Sequence, residues 1–127
     1  MEQSKPEGTS VAKIRHVVYR ATDLEAMANF FVNAFGMTIV HRRPGGAIDL
    51  SDGTINLAVV PVRPPGQRQG LDHIGFMVAD EAEASRRLEA AGAHKVGTTV
   101  DPYQVKFEGP VGIMVEIGEW RGAEPIG

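Results

Sequence analysis

An eleven-residue pattern occurs twice in this chain. KIRHVVYRATD, Lys13 to Asp23, aligns with GLDHIGFMVAD, Gly70 to Asp80, at a constant offset of 57 residues that sets His16 on His73, Tyr19 on Phe76 and Asp23 on Asp80. An internal repeat constrains the fold more than any single motif, because both copies must adopt the same local structure. After each aspartate comes a segment of helical composition that ends at a glycine, LEAMANFFVNAFG and then EAEASRRLEAAG. In the first, Leu24, Met27, Phe31 and Ala34 recur at helical spacing, Thr22 with Glu25 has the form of a capping box, and Gly36 suits a left-handed cap. In the second, Ala84, Leu88 and Ala91 form the stripe, Asp80 is the expected cap and Gly92 the stop.

Short runs of strand character follow each helix: TIVHRR, GAIDLS and TINLAVVPV, then HKVGTTV, YQVKFE and GIMVEIGEW. The order is therefore βαβββ, twice, an α+β arrangement. We expect one domain over residues 11–121, with repeat one at about 13–62, a linker at 63–70 and repeat two at about 71–119. Residues 1–10 read as a flexible start and 122–127 as a tail. The linker lies within VRPPGQRQG, where prolines, glycines and polar residues have no periodicity.

Composition narrows the function classes. Of the 127 residues 43% are hydrophobic and 23% charged, enough for a buried core, and thirteen basic against sixteen acidic residues are scattered rather than gathered in a stripe. Nucleic acid is not an expected partner. No run is long and apolar enough to cross a bilayer and the first ten residues lack a signal-peptide core, so the chain reads as cytoplasmic, with no membrane partner. Without cysteine, any metal must be held by histidine, carboxylate or amide.

Side chains alternate across a strand, which assigns each candidate to a face. His16, Val18 and Arg20 share one face of the first strand, and His73, Gly75 and Met77 one face of the fifth. The larger apolar sets belong against the helices, so both histidines point to the far side of the sheet. In the last strand Ile113, Val115 and Ile117 form the apolar set, which leaves Glu116 on the histidine side. By the same rule Asn56, Ala58 and Val60 join it, opposite Ile55, Leu57 and Val59. Two imidazoles and a carboxylate on one concave surface are costly to bury unless something satisfies them, and a divalent metal would do so. Two His and one carboxylate leave coordination positions open, as in a catalytic site. Taken singly, each histidine also fits a hydrogen-bonded core position and Glu116 a solvated sheet face.

The stretches HVVYRATDLEAMANFFVNAFGM, GLDHIGFMVADEAEASRRLEAAG and FEGPVGIMVEI together resemble the vicinal oxygen chelate superfamily, which includes glyoxalase I, extradiol dioxygenases, methylmalonyl-CoA epimerase, and fosfomycin- and bleomycin-resistance proteins. The likeness runs from Ile14 to Glu119. It implies two βαβββ units paired into a cup-shaped, barrel-like mixed sheet with helices outside, and one divalent ion per site, drawn from Fe, Mn, Ni, Co and Zn. His16, His73 and Glu116 match the metal ligands by position. Asn56 matches a fourth position where glyoxalase I has glutamate and the epimerase glutamine. FEGPVG has Gly109 where the family often has aspartate.

The resemblance implies a lyase or isomerase of the glyoxalase and epimerase kind acting on a small molecule, with Glu116 also able to serve as base. An iron(II) extradiol-type dioxygenase is the alternative, and a drug-binding or drug-modifying resistance protein another. Arg20, four residues after His16 on its face, either clamps an anionic substrate group or reaches solvent at the strand end. Asn56 and Tyr103 are further substrate-binding candidates, Tyr103 and His41 are candidates for an acid or base near the cup as well as ordinary strand residues, and His94 is expected at the end of the second helix. A homodimer is the expected assembly.

Overall fold

We describe residues 12–96 and 104–118 of a computed structural model. The elements run β1 (Lys13–Ala21), α1 (Leu24–Phe35), β2 (Thr38–Arg42), β3 (Ile48–Ser51), β4 (Asn56–Pro61), β5 (Gly70–Met77), α2 (Glu81–Ala90), β6 (His94–Lys95), β7 (Gln104–Glu108), a 3-10 turn (Pro110–Gly112) and β8 (Met114–Gly118). All eight strands form one sheet in the order β2-β3-β4-β1-β5-β8-β7-β6. Read outward from the centre, the two halves are the same: β1 pairs in parallel with β4 and β5 with β8, while β1 and β5 meet antiparallel. The doubled βαβββ order thus becomes a mixed sheet with an internal twofold. It curves into a cup that is open rather than a closed barrel, with β2 and β6 as its outermost strands.

The convex side carries two small cores rather than one. Ala28 of α1 packs on Ile48, Leu50 and Val59, with Leu24, Met27, Phe31 and Val32 around them. Its counterpart sets Ala84 and Leu88 of α2 against Phe107, Ile117 and Val115. Burial of side chains such as Leu50 and Val59 contributes about 1.5–3 kcal/mol each. The expected stripes hold in part. Ala34 and Ala91 are exposed, and in α1 the buried residue is Ala28, with Val32 partly buried beside it, since a core-facing stripe adds the i+4 and i+8 positions to the i+3 series.

The first cap also differs from expectation. Asp23, not Thr22, caps α1: its Oδ1 accepts from Ala26 N at 3.0 Å. Thr22 is unavailable because its hydroxyl donates to Gln69 Oε1 at 3.0 Å, and Glu25 pairs with Arg42 rather than closing a box. Asp80 caps α2 as expected, accepting from Glu83 N. Gly36, at φ 69°, ends α1 in the left-handed conformation that a side chain would strain. His94 lies on β6 and faces Glu108 across the ladder at 3.3 Å, so it does not serve the end of α2. Among the described residues no helix is long and apolar enough to cross a membrane.

Candidate metal centre

Register places the polar residues of the concave face in one row. Asn56 on β4 is beside His16 on β1, His16 beside Gly75 on β5, Gly75 beside Glu116 on β8, and Glu116 beside Lys106 on β7. His73 lies two residues before Gly75, on the same face. The middle position of the row is a glycine for a steric reason. A Cβ on Gly75 would stand 2.5 Å from His16 Nε2, so the bare backbone leaves the space that the imidazole fills.

Three donors converge there. His16 Nε2 and His73 Nε2 are 3.2 Å apart, and Glu116 Oε1 is 3.1 Å from the first and 3.5 Å from the second. All three residues are buried, at 5–8% exposure. Donor atoms bound about 2.0–2.2 Å from one ion at right-angled to tetrahedral separations stand about 2.9–3.5 Å from each other, the spacing found here. Glu116 Oε1 is buried without a well-directed hydrogen bond, which is what a carboxylate oxygen reserved for a cation requires. Burial raises the Glu116 pKa, but its contacts with His16 and His73 outweigh this and bring it from 4.5 to about 2. Glu116 is therefore ionised at neutral pH. The residues present fit one divalent ion, and all the donors come from a single chain.

Two charged supports flank this centre, and neither was anticipated from the sequence. On one side Asp49 of β3, buried, accepts from Arg43 through Nε at 2.7 Å and Nη2 at 2.6 Å, and from Asn56 Nδ2 at 3.1 Å. Asn56 thus spends its amide NH2 on Asp49, which leaves its carbonyl oxygen as the uncommitted end. Asp49 was legible in principle: it alternates with Ile48 and Leu50, both core residues, and so must face the cup.

On the other side Asp72 bridges Arg20 and His73, through Oδ1 to Arg20 Nε at 2.7 Å and through Oδ2 to His73 Nδ1 at 2.7 Å. Arg20 also donates to the Pro61 carbonyl at 2.9 Å. Burial raises the Asp72 pKa, but the hydrogen bonds from His73 and Arg20 and their charges outweigh it and leave the pKa below the usual carboxylate range. Arg20 thus lines the cup with its guanidinium held by Asp72 and Pro61 and its side chain 19% exposed.

The cup encloses a cavity of about 730 Å³. Val18, Ala58 and Val60 give it apolar wall, and His41, Arg63 and Lys106 also line it. Lys106 was missed although Val105 and Phe107, which pack inward on either side of it, imply its direction. Tyr103 falls outside the described residues.

Residues 13–117 match the family described as the Glyoxalase/Bleomycin resistance protein/Dioxygenase superfamily. The chain belongs to this superfamily. An uncharacterized protein of Pseudomonas aeruginosa is 28% identical over 130 residues, covering 90% of this chain and 91% of that protein. Two solved structures share the superfamily fold. Methylmalonyl-CoA epimerase from Mycobacterium tuberculosis superposes with a TM-score of 0.63 at 19% identity, over 84% of this chain and 86% of the epimerase. The 2,3-dioxygenase LapB from Pseudomonas sp. KL28 gives 0.64 at 21% identity over 84% of this chain, which spans only 40% of that longer dioxygenase.

Proposed function

We propose that this superfamily member is a metal-dependent lyase or isomerase of the glyoxalase and epimerase kind. The observation that carries the reading is the convergence of His16 Nε2, His73 Nε2 and Glu116 Oε1 within 3.5 Å of one another. These three residues would hold one divalent ion of the Fe, Mn, Ni, Co or Zn group. Bound there, the ion supplies Lewis-acid stabilisation of charge developing on two neighbouring substrate oxygens.

The chain's own residues divide the remaining work. Val18, Ala58 and Val60 make part of the wall apolar, and a low-polarity wall strengthens electrostatic contacts beside it. Asn56, turned by Asp49, offers an amide oxygen as a neutral acceptor at the fourth position of the site. Glu116 is in this reading a ligand first. It acts as a base for proton transfer only when it moves off the ion.

Charge supports an anionic substrate. Asp49 and Asp72 are committed to Arg43 and Arg20, whereas Arg63 and Lys106 line the cavity and make no ion pair among the described residues. With a divalent ion added, the cup is net positive in a chain of net charge −3. Arg63 and Lys106 then take the carboxylate- or phosphate-binding part first considered for Arg20. Tyr103 stays a proposal from the sequence, as does the homodimer, which sedimentation analysis tests.

A second reading, an iron(II) dioxygenase, is favoured by the same two-histidine, one-carboxylate set, which suits oxygen chemistry at iron. The experiment is elemental analysis of untagged protein, followed by assays with and without oxygen. About one ion per chain, lost in His16→Ala and His73→Ala, supports a metal enzyme. Turnover without oxygen then selects the lyase or isomerase, and oxygen uptake on catechols the dioxygenase. Protein that takes up no metal under any condition sinks both.

A further inference from the structure

Asp72 sits next to His73 in sequence, and neighbours on a regular strand point to opposite faces. Here both face the cup. The ladder between β1 and β5 shows why: Val18 pairs with His73 but Tyr19 pairs with Leu71, so β5 carries one extra residue, Asp72. A bulge of this kind re-aims a side chain. It brings the Asp72 carboxylate to 2.7 Å from Nδ1 of the adjacent imidazole, while Arg20 reaches across from β1 to the other carboxylate oxygen and is itself anchored on Pro61.

We infer that Asp72 is a positioning residue for His73, held by Arg20; this rests on the metal-binding reading above. A ring whose Nδ1–H donates to Asp72 presents Nε2 as a lone pair, and Nε2 is the atom that faces His16 and Glu116. A carboxylate on the far nitrogen also fixes ring rotation and raises ligand basicity. The first repeat has the same bulge without the same device. Ile14 pairs with Phe76 and His16 with Gly75, so the extra residue of β1 is Arg15, which has no acceptor to offer an imidazole N–H. At the position equivalent to Arg20 the second repeat has Met77. The Asp72–Arg20 pair therefore has no equivalent at the matching positions of the other repeat, Arg15 and Met77.

The test uses cobalt(II) titration of the full chain against a chelator, together with ¹⁵N NMR of the metal-free protein. In wild type the His73 ring should show a protonated Nδ1 and an unprotonated Nε2. Asp72→Ala should lose that tautomer preference and weaken cobalt binding about 10- to 100-fold. Asp72→Asn, which keeps an acceptor oxygen and the shape of the side chain, should keep the tautomer with a smaller loss. Arg20→Met should fall between wild type and Asp72→Ala. Wild-type protein that takes up no cobalt overturns the metal reading and this role with it. Wild type that binds while Asp72→Ala binds equally tightly, with the tautomer unchanged, overturns the role of Asp72 alone.

Discussion

Asp49→Asn probes the support on which the Asn56 side chain rests. The substitution keeps the side chain's shape, so no cavity is created and the effect is one of hydrogen-bond chemistry. Three N–H groups converge on the Asp49 carboxylate: Arg43 Nε, Arg43 Nη2 and Asn56 Nδ2. An asparagine there has one acceptor oxygen and one NH2, so a donor must face a donor. Hydrogen bonds to a charged group contribute about 1.5–3 kcal/mol when buried. The Arg43 side chain is 48% exposed, so its pair counts near the low end, while the Asn56 bond is buried and counts more fully. The expected loss is about 2–4 kcal/mol in urea unfolding, or a fall of about 8–16 °C in Tm for a chain of this size. Arg43→Met in the same background should then cost almost nothing further, because its partner has gone. A loss below about 0.5 kcal/mol, or a full additional cost for Arg43→Met, would refute the bridge as a structural element.

Three further outcomes follow from the same geometry. Gly75→Val should cost about 1–3 kcal/mol of stability, since its side chain must push the buried His16 ring aside, and should weaken cobalt binding more than about 100-fold; undiminished binding contradicts the steric account. Glu116 has a folded pKa of about 2, below its ordinary 4.5, so its stabilisation of the metal-free protein is complete above about pH 4.5 and is lost as pH falls toward 2. Unfolding measured from pH 6 to 2.5 should accordingly show the gap between wild type and Glu116→Gln closing with acid, and a constant gap counts against it. Val111, exposed at the β7–β8 turn with φ 49°, is strained by its branched side chain; Val111→Asn should stabilise by about 0.5–1.5 kcal/mol in denaturant unfolding, and a destabilised variant would disprove the strain.

The sequence by itself determined the repeat, the doubled βαβββ order and the faces of His16, His73, Asn56 and Glu116. Those are local properties: alternation along a strand depends only on the backbone's two-residue period, so a residue's face can be counted from its apolar neighbours. Asp49 and Lys106 were available to the same counting, between Ile48 and Leu50 and between Val105 and Phe107. Asp72 was not, because counting sends it to the opposite face from His73, and only the register of β5 against β1 reveals the extra residue that turns it inward. The same holds for Gly75, whose missing side chain matters only because His16 lies across the ladder from it, and for Thr22, whose hydroxyl goes to Gln69, 47 residues away, leaving Asp23 to cap α1. Alternation brought the three donors to one side of the sheet. The pairing of strands far apart in the chain brought them within 3.5 Å of each other and gave His73 its carboxylate partner.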